Sequence, residues 1–148
     1  MRNIGLAFAL FAVGWGVSFG WNTITATPTP SPSALARAAE TDVRVDEDVR
    51  FGKAAPARGW LGAENHLSFE GHPAAMNEWI EAFHAAGAER VWIVGIEEWS
   101  GSQISDTIAV ELPPAGAARE RVLQVEARLR DGARSDDVGQ RYVTVSFD

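Results

Sequence analysis

An uncharged apolar run near the amino terminus constrains this chain more than any other feature. Ile4–Trp21 contains 18 consecutive residues without a charge, and a bilayer-spanning helix needs about 20 apolar residues. Arg2 precedes the run, and the next basic residue is Arg37. By the positive-inside rule, this asymmetry predicts a cytoplasmic amino terminus and an extracytoplasmic remainder. We therefore expect residues 1–26 to be a single-pass membrane anchor, or a signal segment that is cleaved, with the rest of the chain on the periplasmic side.

The next segment has the composition of a spacer. Thr23–Ser33 alternates Pro with Thr and Ser, a pattern typical of extended polyproline conformations. Residues 34–59 are polar and charged, with valines scattered among them. We interpret residues 27–59 as a linker that is mostly irregular, in which a short helix or strand is also compatible with the pattern.

Composition excludes several classes of function. The chain has no cysteine among its 148 residues, so it contains no disulfide, thiol nucleophile or thiolate metal site. Residues 60–148 carry seven basic and fifteen acidic groups. Because an acidic domain repels phosphate backbones, we expect no nucleic-acid partner. One Lys against twelve Arg, with abundant Ala and Gly, is typical of a bacterial protein.

Residues 60–148 show the pattern of a folded α+β domain. Leu67 and Phe69 alternate with polar neighbours, which favours a strand. Pro73 suits the first position of a helix, and Gly87 suits its end. Glu98–Gln103 reads as the loop of a hairpin between two apolar runs. The expected order is a strand at 66–70, a helix at 73–87, strands at 91–97 and 104–112, a helix after Pro113-Pro114, and a strand at 141–147.

This element order resembles the ferredoxin-like βαββαβ sandwich. The resemblance implies a four-stranded antiparallel sheet with two helices on one face. It also implies that residues 66–70 lie between 141–147 and 104–112, with 91–97 at an edge. A single-span anchor followed by such a domain is similar to the bitopic assembly-platform subunits of type II secretion and type IV pili. The fold is shared by many proteins and carries no function by itself.

The predicted sheet has a polar open face, because alternate residues of three strands are polar. We expect this face to bind a ligand or a partner. Its candidate residues are His66, Ser68, Glu70, Thr107, Glu111, Tyr142 and Thr144.

Within this face, one pair of residues has the chemistry of an acid–base dyad. His66 and Glu70 lie roughly 13 Å apart on one strand, too far to act on one atom. If Ser68 lies opposite Ala109, then His66 faces Glu111 across neighbouring strands. A His66–Glu111 pair is therefore the hypothesis for a chemical site.

No known catalytic motif occurs in the sequence, and the three histidines lack metal-ligand spacing. We expect no catalytic residue, metal or cofactor. The best interpretation is a membrane-tethered extracytoplasmic domain that binds another envelope protein, itself or a small ligand. The alternatives are a small envelope enzyme that uses His66 with Glu111 or Glu70, and a purely structural part of a larger machine.

Overall fold

The computed structural model describes residues 29–61, 65–67 and 73–147. The predicted anchor therefore lies outside the described residues, and so do Ser68, Glu70 and His72. In the described part of the chain, no helix combines the length and the apolar character needed to cross a membrane. The elements are α1 (Pro32–Arg50), β1 (Ala55–Pro56), α2 (Ala57–Trp60), β2 (Asn65–Leu67), α3 (Pro73–Ala86), β3 (Arg90–Val94), β4 (Glu97–Trp99), β5 (Ser102–Ser105), β6 (Thr107–Glu111), α4 (Gly116–Leu129) and β7 (Tyr142–Ser146).

The centre of the molecule is a four-stranded antiparallel sheet, which confirms the predicted α+β class. Its order is β1-β3-β6-β7. The apolar residues of one parity, such as Ile93, Ile108 and Val145, point to one face. They pack there against Phe83 of α3 and Leu123 of α4, both fully buried. This face holds the main core.

The predicted strand order is wrong. β7 pairs directly with β6, with Ala109 opposite Thr144, whereas the ferredoxin-like order places residues 66–70 between these two strands. β2 instead belongs to a second sheet of order β2-β5-β4, in which it runs parallel to β5. The other edge of the central sheet is β1, which lies in the predicted linker.

Two predicted long strands are each divided in two. In the run 91–97, the first strand ends before Gly95. Gly95 has a φ of +64°, a value that favours glycine. The run 104–112 breaks at Asp106, where the hydroxyl of Ser105 accepts a hydrogen bond from the N–H of Thr107 at 3.2 Å. The first break lies where the chain leaves the central sheet for the second sheet, and the second break lies where it returns. The predicted hairpin therefore forms as β4 and β5 in the second sheet.

The largest difference from the sequence interpretation is α1, a 19-residue helix in the predicted linker. Ser31 caps it, since its hydroxyl accepts from the N–H of Ala34 at 3.1 Å, and Pro32 occupies the first turn. A Ser-Pro pair at this position is a known helix start. The helix has few apolar residues to mark it in the sequence, and only Ala34 and Val45 are buried along it.

α1 lies on the second face of the central sheet and is held there by polar contacts. Val45 is fully buried against Val94, Ala109 and Tyr142. The two carboxylate oxygens of Asp42 accept hydrogen bonds from consecutive backbone N–H groups of β7 and its approach, at 2.9 Å and 3.0 Å. The sheet is therefore covered on both faces, and every residue of β6 is buried.

We predict that Asp42→Ala lowers the free energy of unfolding by about 2 kcal/mol, because it removes the charged acceptor of two backbone N–H groups. Urea denaturation of the full-length chain measures this change. The matched control is Glu47→Ala, which removes an exposed carboxylate of the same helix and should change stability by less than about 0.5 kcal/mol. Equal effects of the two substitutions would contradict the assigned role of Asp42.

Candidate functional site

Four of the predicted binding residues share one face of the sheet. Thr107 lies opposite Ser146 in the β6–β7 register, and Glu111 lies opposite Tyr142. Thr144 lies between them, opposite Ala109. The alternation of polar residues therefore predicted correctly that Thr107, Glu111, Tyr142 and Thr144 point to the same side.

This face is not open, contrary to the prediction. α1 covers it, and Thr107, Glu111 and Tyr142 are buried while Thr144 is half-buried. Sequence analysis did not predict that a helix covers this face, because it assigned residues 34–59 to a mostly irregular linker. A broad ligand-binding surface at the centre of the sheet is therefore ruled out by α1.

The predicted register between His66 and Glu111 does not form. The backbone of His66 lies in β2, opposite Ile104 of β5. Glu111 lies between Arg90 of β3 and Tyr142 of β7. The two residues thus belong to different sheets, because β7 occupies the place predicted for residues 66–70.

Glu111 is instead the centre of an ion-pair network. Its side chain is 9% exposed, and its two oxygens lie 2.8 Å from Nε of Arg90 and 2.9 Å from Nε of Arg141. Arg141 continues the network to Asp46 of α1, at 3.1 Å. Two guanidinium groups balance the charge of this buried carboxylate, although only Oε1 accepts a hydrogen bond, and Oε2 has none from the described residues. Its contacts indicate a structural role for Glu111.

Tyr142 connects this network to the sheet. Its phenol donates a hydrogen bond to Asp46 at 3.2 Å, and the guanidinium of Arg141 lies 4.8 Å from its ring centroid. Burial, with the negative charge of Glu111 as a second cause, raises the pKa of Tyr142 to about 12. Both causes disfavour the phenolate.

The described residues outside this network do not form a metal site. No group of three or more His, Asp and Glu side chains among them is placed to hold a metal ion. His84 of α3 is partly buried, and its pKa is lowered by that burial and by the charge of Arg58. Glu97 and Glu98 are exposed at the β4–β5 hairpin, next to Trp99, which is 66% exposed.

A concave surface runs along the outer edge of β7, which has no further strand beside it among the described residues. We call it the β7 groove; its volume is about 500 Å³, within the range of ligand pockets. One wall is the first half of α1, and the other is the end of α4 with the loop that follows it. The floor is β7 itself. Its chemistry comes from Arg37, Thr41, Arg130, Arg134, Asp136 and Thr144.

Buried polar contacts hold the loop wall of this groove in place. Glu126 of α4 is fully buried and accepts hydrogen bonds from Arg130 at 2.7 Å and from the N–H of Ser135 at 3.0 Å. Arg119 donates to Asp137 at 2.7 Å and to the carbonyl oxygen of Gln140 at 2.9 Å. The i,i+4 pair of Glu126 and Arg130 follows from sequence spacing. The loop contacts depend on the tertiary fold.

The β7 groove contains residues that sequence analysis did not select. Only Tyr142 and Thr144 of the predicted site line it. Arg37 lies in the predicted linker. Sequence analysis assigned no binding role to the arginines at the end of α4. A signal was present in the Ser-Pro helix start before Arg37, which places this residue on a helix instead of a tether.

Comparison with known proteins does not add to these observations. The chain matches no family model, no curated protein and no solved structure at a significant level. The functional argument therefore depends on the geometry of the chain itself.

We predict that the folded chain forms tyrosinate only near pH 12, against about pH 10 for an unfolded tyrosine. Tyr142 is the only tyrosine in the sequence, so near-ultraviolet absorbance reports on it alone. Because the folded-state pKa is raised, the stabilising contribution of the neutral phenol is complete below about pH 10. It is lost as the pH rises from about 10 to about 12.

Asp46→Asn should lower the tyrosinate midpoint, because it removes a negative charge and a hydrogen bond at the phenol. Glu47→Gln, on the same helix and exposed, is the control and should leave the midpoint unchanged. A wild-type midpoint near pH 10 in the folded state would show that Tyr142 is not covered by α1.

Proposed function

We propose that the protein is a membrane-tethered extracytoplasmic interaction domain that binds its partner in the β7 groove. The observation that supports this proposal is the groove itself, which places the free edge of a strand between two polar walls. Strand edges and concave surfaces with a few convergent polar groups are common binding sites. The partner is another envelope protein or a segment of one.

The sequence supports the membrane tether. Ile4–Trp21 has the length and apolar character of a spanning segment, and the position of Arg2 favours a cytoplasmic amino terminus. α1 begins only eleven residues after Trp21. A tether this short keeps the groove within a few nanometres of the membrane, because an extended residue spans about 3.3–3.6 Å.

The contacts of Glu111 favour binding over enzymatic chemistry. A general base needs a carboxylate that is free to accept a proton from a substrate. Glu111 is held by two arginines beneath α1, and His66 lies in the other sheet. We therefore prefer the interaction domain to the small envelope enzyme.

The tether and its orientation are tested with single-cysteine variants, because the natural chain contains no cysteine. Glu98→Cys, at an exposed hairpin position, should react with a membrane-impermeant maleimide in intact spheroplasts. The matched variant Asn3→Cys should react only after the membrane is permeabilised. Labelling of Glu98→Cys only after permeabilisation would contradict the proposed orientation.

The binding function is tested by photo-crosslinking of the full-length chain in its native membrane. A benzophenone amino acid in place of Thr41 lies in the wall of the β7 groove and should give a discrete adduct with the partner. The same residue in place of Arg44, on the same helix but outside the groove, should give none. Adducts from Arg44 alone, or from neither position, would contradict binding in the groove.

A further inference from the structure

The hydrogen-bond register of β7 determines which of its backbone groups face the groove. The N–H of Leu112 donates to the carbonyl oxygen of Arg141 at 2.8 Å, and the N–H of Phe147 donates to that of Asp106 at 2.9 Å. Residues that face a neighbouring antiparallel strand alternate with residues that face away. The N–H and C=O groups of Tyr142, Thr144 and Ser146 therefore point away from β6, toward the groove.

The first of these outward groups is already satisfied within the chain, by α1. The N–H of Tyr142 donates to the carboxylate of Asp42 at 2.9 Å, in the place that the carbonyl oxygen of an added strand would take. The N–H groups of Thr144 and Ser146 have no acceptor within residues 29–61, 65–67 and 73–147. Neither Lys nor Pro protects the edge, because β7 reads YVTVS.

Two of the four charged side chains that line the β7 groove, Arg130 and Arg134, are already neutralised, which leaves Arg37 as the cation available to an acidic occupant. Three arginines and one carboxylate, Asp136, line it, in a chain whose net charge is −7. Arg130 pairs with Glu126 and Arg134 pairs with Glu120, each at 2.7 Å. Arg37 makes no ion pair with any residue that the structure describes.

From these observations, we propose that the β7 groove binds an extended, acidic peptide segment of a partner protein as an added strand on β7, with a carboxylate of the segment paired to Arg37. This inference rests on the proposed function and names the chemistry of its partner. The backbone of Thr144 and Ser146 supplies the strand-pairing hydrogen bonds. Arg37 supplies selectivity for Asp or Glu, since a guanidinium forms two parallel hydrogen bonds with a carboxylate.

A second copy of the chain fits this groove less well. Pairing of two β7 edges requires the walls of both grooves to fit against each other. Both copies also carry α1 and the 131–140 loop beside the edge. A volume of about 500 Å³ accommodates one narrow strand better than a second sheet with its helices.

The test uses a random dodecapeptide library displayed on phage, selected against the full-length chain in detergent micelles. We expect the enriched peptides to alternate β-branched or aromatic residues with polar ones and to contain Asp or Glu. Arg37→Ala should weaken the binding of a selected peptide by about tenfold. The matched substitution Arg44→Ala, on the same helix outside the groove, should leave binding unchanged.

Strand addition is tested by amide hydrogen exchange of the same complex. The peptide should slow exchange at Thr144 and Ser146, whereas Val143 and Val145 are protected by β6 in the free protein. Thr144→Pro removes the outward N–H, a change that edge strands tolerate, and should abolish binding. Thr144→Val keeps the backbone group and should retain binding. Protection of Val143 and Val145 in the proline variant verifies that it is folded.

Three results would overturn the inference. Binding that depends on Arg37 but survives Thr144→Pro and leaves the Thr144 amide unprotected would exclude strand addition, while the groove would remain the binding site. Protection of Thr144 that rises with protein concentration in the absence of peptide would identify a second copy as the occupant. No enrichment over empty micelles would exclude peptide binding, and the crosslink from position 41 then decides separately whether the groove binds anything.

Discussion

The two hydrogen bonds from the backbone of Arg141 and Tyr142 to the carboxylate of Asp42 hold α1 on the central sheet. α1 buries only Ala34 and Val45, so its apolar contribution is small and these polar contacts decide where it lies. With α1 in place, the second face of the sheet is covered and β6 is buried completely. Because α1 covers this face of the sheet, the accessible part of β7 is its outer edge, where the β7 groove lies.

A covered face also explains why its polar residues form a closed network. Glu111 lies under α1 and is nearly inaccessible, so its charge requires partners within the protein. Arg90 and Arg141 supply them from neighbouring positions, and Asp46 extends the network onto α1. The same constraint operates at Glu126 and Arg119, whose buried charges hold the loop that forms one wall of the β7 groove. Buried charges therefore shape the proposed binding site without touching the ligand.

Local patterns in the sequence predicted the elements of the folded core more reliably than their arrangement. α3 extends from Pro73 to Ala86, and Gly87 follows with a φ of +101°, as its C-terminal position requires. β7 and the parity of Thr107, Glu111, Tyr142 and Thr144 also follow from alternation. The strand order does not, because the same alternation is satisfied whether β6 pairs with residues 66–70 or with β7.

The candidate site was predicted only at its floor. Tyr142 and Thr144 were selected for their polar parity, and both line the groove. Arg37 was missed because residues 34–59 are mostly polar and charged, and only two residues of α1 are buried. The loop wall was missed because the loop partners Ser135 of Glu126 and Asp137 of Arg119 lie nine and 18 residues away along the chain, beyond the reach of helical spacing rules.

By itself, the sequence determined the α+β class, the bounds of α3 and β7, and the acidic, cysteine-free character of the domain, because these depend on local periodicity, turn residues and composition. The sequence also provides the reason to expect an anchor, which depends on the length and charge of the segment Ile4–Trp21. The tertiary structure alone decided which strands are neighbours, that α1 covers the sheet, and that the free edge of β7 lies between Arg37 and the α4 end. Those outcomes depend on contacts between residues distant in the chain, such as Asp42 with Tyr142, and no local pattern encodes them.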